Sequence, residues 1–134
     1  MKKSTQILTM LFFIAFGLSI ASNAQESKPW VVPAKFKTMN NPVKSDDASI
    51  KAGQSLYVKN CAACHGKTGL GDGPKVKGLK THPGDFSKAA FQSQTDGEHF
   101  YKIQTGRGEM PKYEGKIDDE GIWQIINYTR TFKK

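Results

Sequence analysis

The sequence predicts an all-α fold built from a few short helices. Apolar residues recur at helical spacing in three separate stretches, each opened by residues that cap helices: Ser45-Asp46-Asp47, Thr95-Asp96 and Asp118-Asp119. No stretch alternates apolar and polar residues as a half-buried strand would, and no internal repeat is present. Most of the thirteen glycines and all six prolines fall between the helical stretches, where they mark turns.

The elements follow in chain order. Lys2 and Lys3 precede an apolar stretch from Ile7 to Ala21, and Ser22-Asn23-Ala24 supplies the small residues of a cleavage site; residues 1–24 therefore read as a signal peptide cut before Gln25. The apolar core is short for a bilayer crossing of about 20 residues. With no twin arginine and no cysteine at the cleavage site, the general secretory route is expected, without a lipid anchor. Cleavage leaves no stable membrane span, and the expected destination is the periplasm or the outer face of the cytoplasmic membrane. Residues 25–47, interrupted by Pro29, Pro33 and Pro42, read as an extended arm without helical period. It is either a linker or a segment whose Trp30, Val31, Val32 and Phe36 lie on the domain surface.

Residues 48–134 hold the domain. Ala48 to Asn60 carries the stripe Ile50, Gly53, Leu56, Tyr57 and reads as a helix. Gly53 costs about 1 kcal/mol there relative to Ala, which calls for close approach by another helix. Gly66 to Gly84 holds eight Gly or Pro residues and reads as a long functional loop. Ser87 to Gln92 forms one helical turn, and Gly97 to Thr105 a helix closed by Gly106. A second loop, Gly106 to Gly115, carries Met110-Pro111. Asp118, Asp119 and Glu120 start the last helix, whose Ile122, Trp123, Ile125, Ile126, Thr129 and Phe132 form an apolar face ending at Lys133-Lys134.

Composition removes several functions. A hydrophobic fraction of 37% excludes a polytopic membrane protein, while 24% charged and 10% aromatic residues exclude a disordered chain. Two cysteines exclude a disulfide scaffold. There is no glycine-rich loop before a Lys-Ser/Thr pair and no Gly-x-Ser-x-Gly elbow, so nucleotide hydrolysis and serine esterase chemistry have no support. The net charge is +8, yet only Arg107 and Arg130 among the 20 basic residues are Arg. That bias speaks against nucleic acid as a partner and for an acidic protein face or anionic lipid.

The chemistry concentrates in Cys61-Ala62-Ala63-Cys64-His65. Two thiols three residues apart on a helical turn can each add to one vinyl group of a haem, leaving the adjacent His to ligate the iron through Nε2. Two other readings compete. A redox dithiol of the thioredoxin kind needs a βαβ unit, which is missing. Zinc needs four ligands, and the separation of His82 and His99 is not a finger spacing. Export agrees with haem, whose covalent attachment takes place outside the cytoplasm. Candidates for the sixth iron ligand are Met39, Met110, His82 and His99. Met110 is favoured, because Gly108 lets the backbone approach and Pro111 holds Met110 extended. A His/Met axial pair raises the potential. The Pro74 carbonyl is the expected acceptor for the other ring N–H of His65.

At these residues the chain resembles class I cytochrome c. The resemblance rests on Gly53-x-x-x-Tyr57 ahead of the Cys61–His65 motif, the Gly66–Pro74 stretch, Gly106-Arg107-Gly108-Glu109-Met110-Pro111, and Trp123 to Tyr128 in the last helix. It runs from Ala48 to Phe132. It implies a small cytochrome c fold of three to four helices around one covalent haem c and its iron. The first and last helices would cross at Gly53 against Tyr128, with Trp123 packed either near the haem or in the core. The implied function is an exported one-electron carrier, not an enzyme, with His65 and Met110 as axial ligands. Lys67, Lys75, Lys77, Lys80 and Lys112 would ring the haem edge and steer redox partners with acidic docking faces. Two alternatives stand beside it: a haem subunit of an exported respiratory or dehydrogenase complex, and a ligand sensor or peroxidase if Met110 does not ligate. Nothing in the sequence sets an oligomeric state.

Overall fold

The structure, a computed structural model, describes residues 28–134; the expected signal peptide and cleavage site lie outside the described residues. The order is α1 (Ala34–Lys37), α2 (Asp47–Asn60), α3 (Ala62–His65), a 3-10 turn (Val76–Gly78), α4 (Ala89–Gln92), α5 (Asp96–Thr105) and α6 (Asp119–Arg130). The fold is all-α. Among the described residues the only β-type pairing is a single bridge between Arg107 and Met110.

The three long helices start at their capping residues. The Asp46 carboxylate accepts from the Ser49 amide at 3.0 Å while Ser49 Oγ accepts from the Asp46 amide at 3.2 Å, a reciprocal cap. Thr95 and Glu98 do the same for α5, and the Asp118 carboxylate accepts from the Gly121 amide for α6. The last helix stops at Arg130 rather than at Lys133-Lys134. Beyond it the amides of residues 131–133 reach back only three residues, a tightening that turns Phe132 onto Tyr57 and Tyr128, with ring centroids 5.5 and 4.9 Å away.

Helices α2 and α6 cross at Gly53. A Cβ there would overlap the Gln124 carbonyl and stand 3.0 Å from the Ile125 nitrogen. The close neighbour is thus the backbone of α6, not the Tyr128 ring. Tyr128 instead packs edge-on against Tyr57, one turn further along α2, at 5.3 Å. Around this crossing Tyr57, Ile122, Ile125 and Ile126 are fully buried and form the centre of the core. Trp123 stacks on Phe100 at 4.3 Å and lines neither cavity described below, so of its two expected positions it takes the core.

The arm is a packed strap. Its prolines conceal one helical turn, α1, and Phe36 from that turn lies on Phe100 and Tyr101. The Phe36 carbonyl sits where a Cβ of Gly97 would be, so α5 accepts the strap only through a glycine. Asn41 donates to the Asn127 side chain at 2.9 Å, and Asn127, buried on α6, donates to the Val43 carbonyl at 3.2 Å and to Ser49 Oγ at 3.1 Å. A buried amide with its donors satisfied fixes arm, α2 and α6 to one another.

Candidate functional site

The end of α2 feeds directly into the cysteine motif. The Cys61 amide closes α2 on the Tyr57 carbonyl at 2.8 Å, and the His65 amide opens the next turn on the Cys61 carbonyl at 2.9 Å. One short turn therefore presents Cys61, Cys64 and His65 together. The carbonyls at its end are taken up by the glycine-rich loop. Amides of Gly71, Gly73 and Lys75 donate to His65, Cys64 and Ala63 at 2.9, 3.2 and 2.9 Å. Gly73 can do so because a Cβ would overlap the Ala62 and Ala63 carbonyls. The Tyr57 hydroxyl, whose pKa burial raises, donates to the Gly66 carbonyl at 2.8 Å and pins the turn that follows His65.

Two adjoining cavities of about 370 and 660 Å³ open beside this turn and share Trp30, Cys61, His65, Pro83 and Met110 as walls. The inner one is walled by Tyr57, Phe86, Phe91, Ile103 and Ile125; Cys64 and Pro111 line the outer one. An aromatic ladder runs along the inner wall, His65 on Phe86 at 4.5 Å, Phe86 on Phe91 at 4.1 Å and Phe91 on His99 at 4.1 Å. The structure thus brings His65 and Met110 to one cavity. Met110 is held by a reciprocal pair with Arg107, amide to carbonyl at 2.9 and 3.0 Å. Glu109 accepts from the Lys80 amide at 2.8 Å, tying the methionine loop to the glycine-rich loop.

Other candidates fall elsewhere. Met39 packs against the core and Gly97 and reaches neither cavity. His82 is exposed at the outer rim, its Nδ1 accepting from the Gly84 amide at 3.1 Å. The Pro74 carbonyl does not meet the imidazole: His65 Nδ1 is buried without a hydrogen-bond partner. Burial lowers the His65 pKa to about 4 against the opposing pull of the Pro83 carbonyl, so the ring is neutral, the form that binds metal. Among the lysines, Lys112 is paired with Glu114, while Lys67, Lys75, Lys77 and Lys80 are exposed.

His99, one of the candidates for the sixth ligand, is 4% exposed, lines the inner cavity and has an unpartnered Nε2. The sequence missed one feature. Phe86 and Phe91 form the inner wall from a segment that carries no helical period long enough to mark them.

The competing chemistries do not fit. Burial, with Cys64 beside it, raises the Cys61 thiol to about 12, whereas a redox dithiol needs a depressed pKa. Among the described residues no three His, Cys, Asp or Glu side chains gather as a zinc site requires. A haem does fit: two thiols, a neutral imidazole and a thioether face the two adjoining cavities, whose walls also hold two unpartnered ring nitrogens.

Known proteins agree. The chain is 31% identical over 87 residues to cytochrome c6 of Chlorolobion braunii, covering 61% of this chain and 89% of that protein. It is 30% identical over 103 residues to cytochrome c6 of Picosynechococcus sp., covering 72% and 83%. The solved c-type cytochrome KustC0563 matches with a TM-score of 0.54 at 28% identity, over 61% of this chain and 98% of that one. Fold, cavity and relatives together define a c-type cytochrome of class I, a haem c electron carrier. More narrowly, the family model described as "Cytochrome C oxidase, cbb3-type, subunit III" matches residues 48–128, and the chain belongs to that family.

Proposed function

We propose that this chain is an exported one-electron carrier with a single haem c, held by thioether links from Cys61 and Cys64 and ligated by His65 and Met110. The observation that carries the reading is the convergence of His65, Cys61 and Met110 on one apolar cavity. When bound, the haem supplies the ferric/ferrous couple. The chain's own residues do the rest. His65 is kept neutral by burial and oriented by the turn that Tyr57 and Gly71 anchor. Met110 is presented by the Arg107 bridge and the Glu109 tie. Phe86 and Phe91 exclude water and lower the local dielectric, which disfavours the more highly charged oxidised state. Pro74 contributes through the loop whose neighbouring amides hold α3.

Exposed Lys67, Lys75, Lys77 and Lys80 give the loop side of the domain a positive field that speeds encounter with acidic redox partners and fades with salt. No described helix is long and apolar enough to cross a membrane. Export rests on the signal-peptide pattern and on the chemistry of haem attachment.

The test is the mass and absorption spectrum of protein made in a haem-maturing host. One covalent haem is expected, with a weak far-red sulfur–iron band in the ferric state that Met110→Ala abolishes. A colourless folded protein overturns the haem reading; a high-spin ferric spectrum that shifts readily with cyanide overturns the carrier and favours a sensor or peroxidase. A second reading, a haem subunit of a redox complex, draws on the family's description and on Val31, which is 88% exposed beside the packed Trp30. A mature protein that stays monomeric and binds no partner complex counts against it.

A further inference from the structure

His99 is not explained by the ligand set. It projects from α5 into the inner cavity, 96% buried by its 4% exposure, with Nε2 unpartnered. Leaving such a group without a partner costs about 1–3 kcal/mol. Its surroundings are cationic. Lys102, one turn along α5 and half-buried, lines the same cavity with its ammonium on the Gln94 side-chain oxygen, and Arg130 approaches from α6. Burial first, with Arg130 and Lys102 adding repulsion, lowers the imidazole to about 3 in the protein alone.

The nearby carboxylates are already engaged. Asp96 binds Arg130 at 2.6 Å, Asp85 accepts from Ser87 Oγ at 2.7 Å, and Glu98 accepts from the Thr95 amide at 2.8 Å. This end of the cavity therefore has the Lys102 ammonium and an unpartnered ring nitrogen, while the Arg130 charge is already met by Asp96. Its position within the cavity matters too. Cys64 lines only the outer cavity, whereas His99, Gln94 and Lys102 line only the inner one. A haem linked through its vinyl positions carries its two carboxylate side chains on the opposite edge.

We propose that His99 Nε2–H donates a hydrogen bond to a haem carboxylate, with Lys102 supplying the adjacent positive charge, which makes His99 a positioning residue for the acidic edge of the cofactor. This rests on the haem reading above. A carboxylate beside Nε2 satisfies the unpartnered nitrogen and reverses the sign of the local field, so the ring can hold its proton at neutral pH.

The test uses wild-type holoprotein, first shown by mass and far-red band to carry one haem with a sulfur ligand. Failure at that stage refutes the haem reading and not the role of His99. In the diamagnetic ferrous state, nitrogen-15 NMR is expected to show a slowly exchanging proton on His99 Nε2, with a nuclear Overhauser contact to a methylene of a haem carboxylate side chain. His99→Leu is expected to give a reduction potential that varies with pH between 5 and 8 more steeply than wild type, because the carboxylate loses its donor and titrates. His99→Gln, which keeps an N–H in reach, restores the wild-type profile. An Nε2 without a proton, or His99→Leu with the wild-type pH profile, overturns the proposal. So does a wild-type spectrum showing His99 itself on the iron.

Discussion

Substituting Gly53 by Ala sets two opposed effects against each other. Helix propensity favours Ala by about 1 kcal/mol in the middle of α2. Packing opposes it, since the added Cβ overlaps the oxygen and carbon of the Gln124 carbonyl, a backbone group of α6 that cannot rotate away. The overlap exceeds what a few tenths of an ångström of relaxation removes, so the whole helix must shift. Around the crossing Ile122, Ile125 and Ile126 are fully buried and leave no slack. Overpacking of this kind costs about 1–3 kcal/mol, and occasionally more. Set against the propensity gain, this leaves a net loss of up to about 2 kcal/mol. Guanidinium unfolding of the holoprotein, followed by the haem Soret band, reads this as a lower midpoint with an unchanged slope. If Gly53→Ala is instead more stable by about 1 kcal/mol, propensity alone governs the site. The claim that backbone contact sets the α2–α6 crossing is then wrong.

Trp30→Ala removes a wall shared by both cavities together with the ring that Arg107 covers at 4.2 Å. A lower reduction potential is expected from greater solvent access, with a stability loss of about 1–2 kcal/mol because the ring is only half-buried; an unchanged potential in voltammetry counts against the arm as a cover. Glu109→Ala cuts the tie to the Lys80 amide, and stopped-flow binding of imidazole to the ferric protein is expected to accelerate severalfold while the sulfur–iron band persists. In haem-free protein the Cys61 thiol, raised to about 12, is expected to alkylate slowly at neutral pH and faster only as alkali approaches that value; rapid alkylation at pH 7 would revive the redox dithiol.

The helices were legible because their signals are local. Asp46, Thr95 and Asp118 cap from positions that sequence spacing reveals, and the α6 stripe of Ile122, Ile125 and Ile126 is a face before it is a core. The haem motif was legible for a chemical reason, two thiols and an imidazole within one turn. What stayed hidden depends on which surfaces meet. Gly53 announced a close contact, and its partner was the Gln124 carbonyl rather than the Tyr128 ring that the resemblance implied. His99 has the same spacing from its neighbours whether it faces solvent or a cofactor, so no periodicity could assign it; its meaning comes from Phe91, Lys102 and Arg130 converging from separate elements. The arm shows this most clearly. Its prolines left it open between a linker and a packed segment, and Asn127, more than eighty residues away, holds it packed through three hydrogen bonds to residues 41, 43 and 44. A segment fastened so firmly to α6, with Trp30 at the cavity wall, is structurally part of the haem crevice. Its Trp30 then belongs with Phe86 and Phe91 among the groups that set solvent access, and the potential responds to the arm as it does to the cavity's own walls.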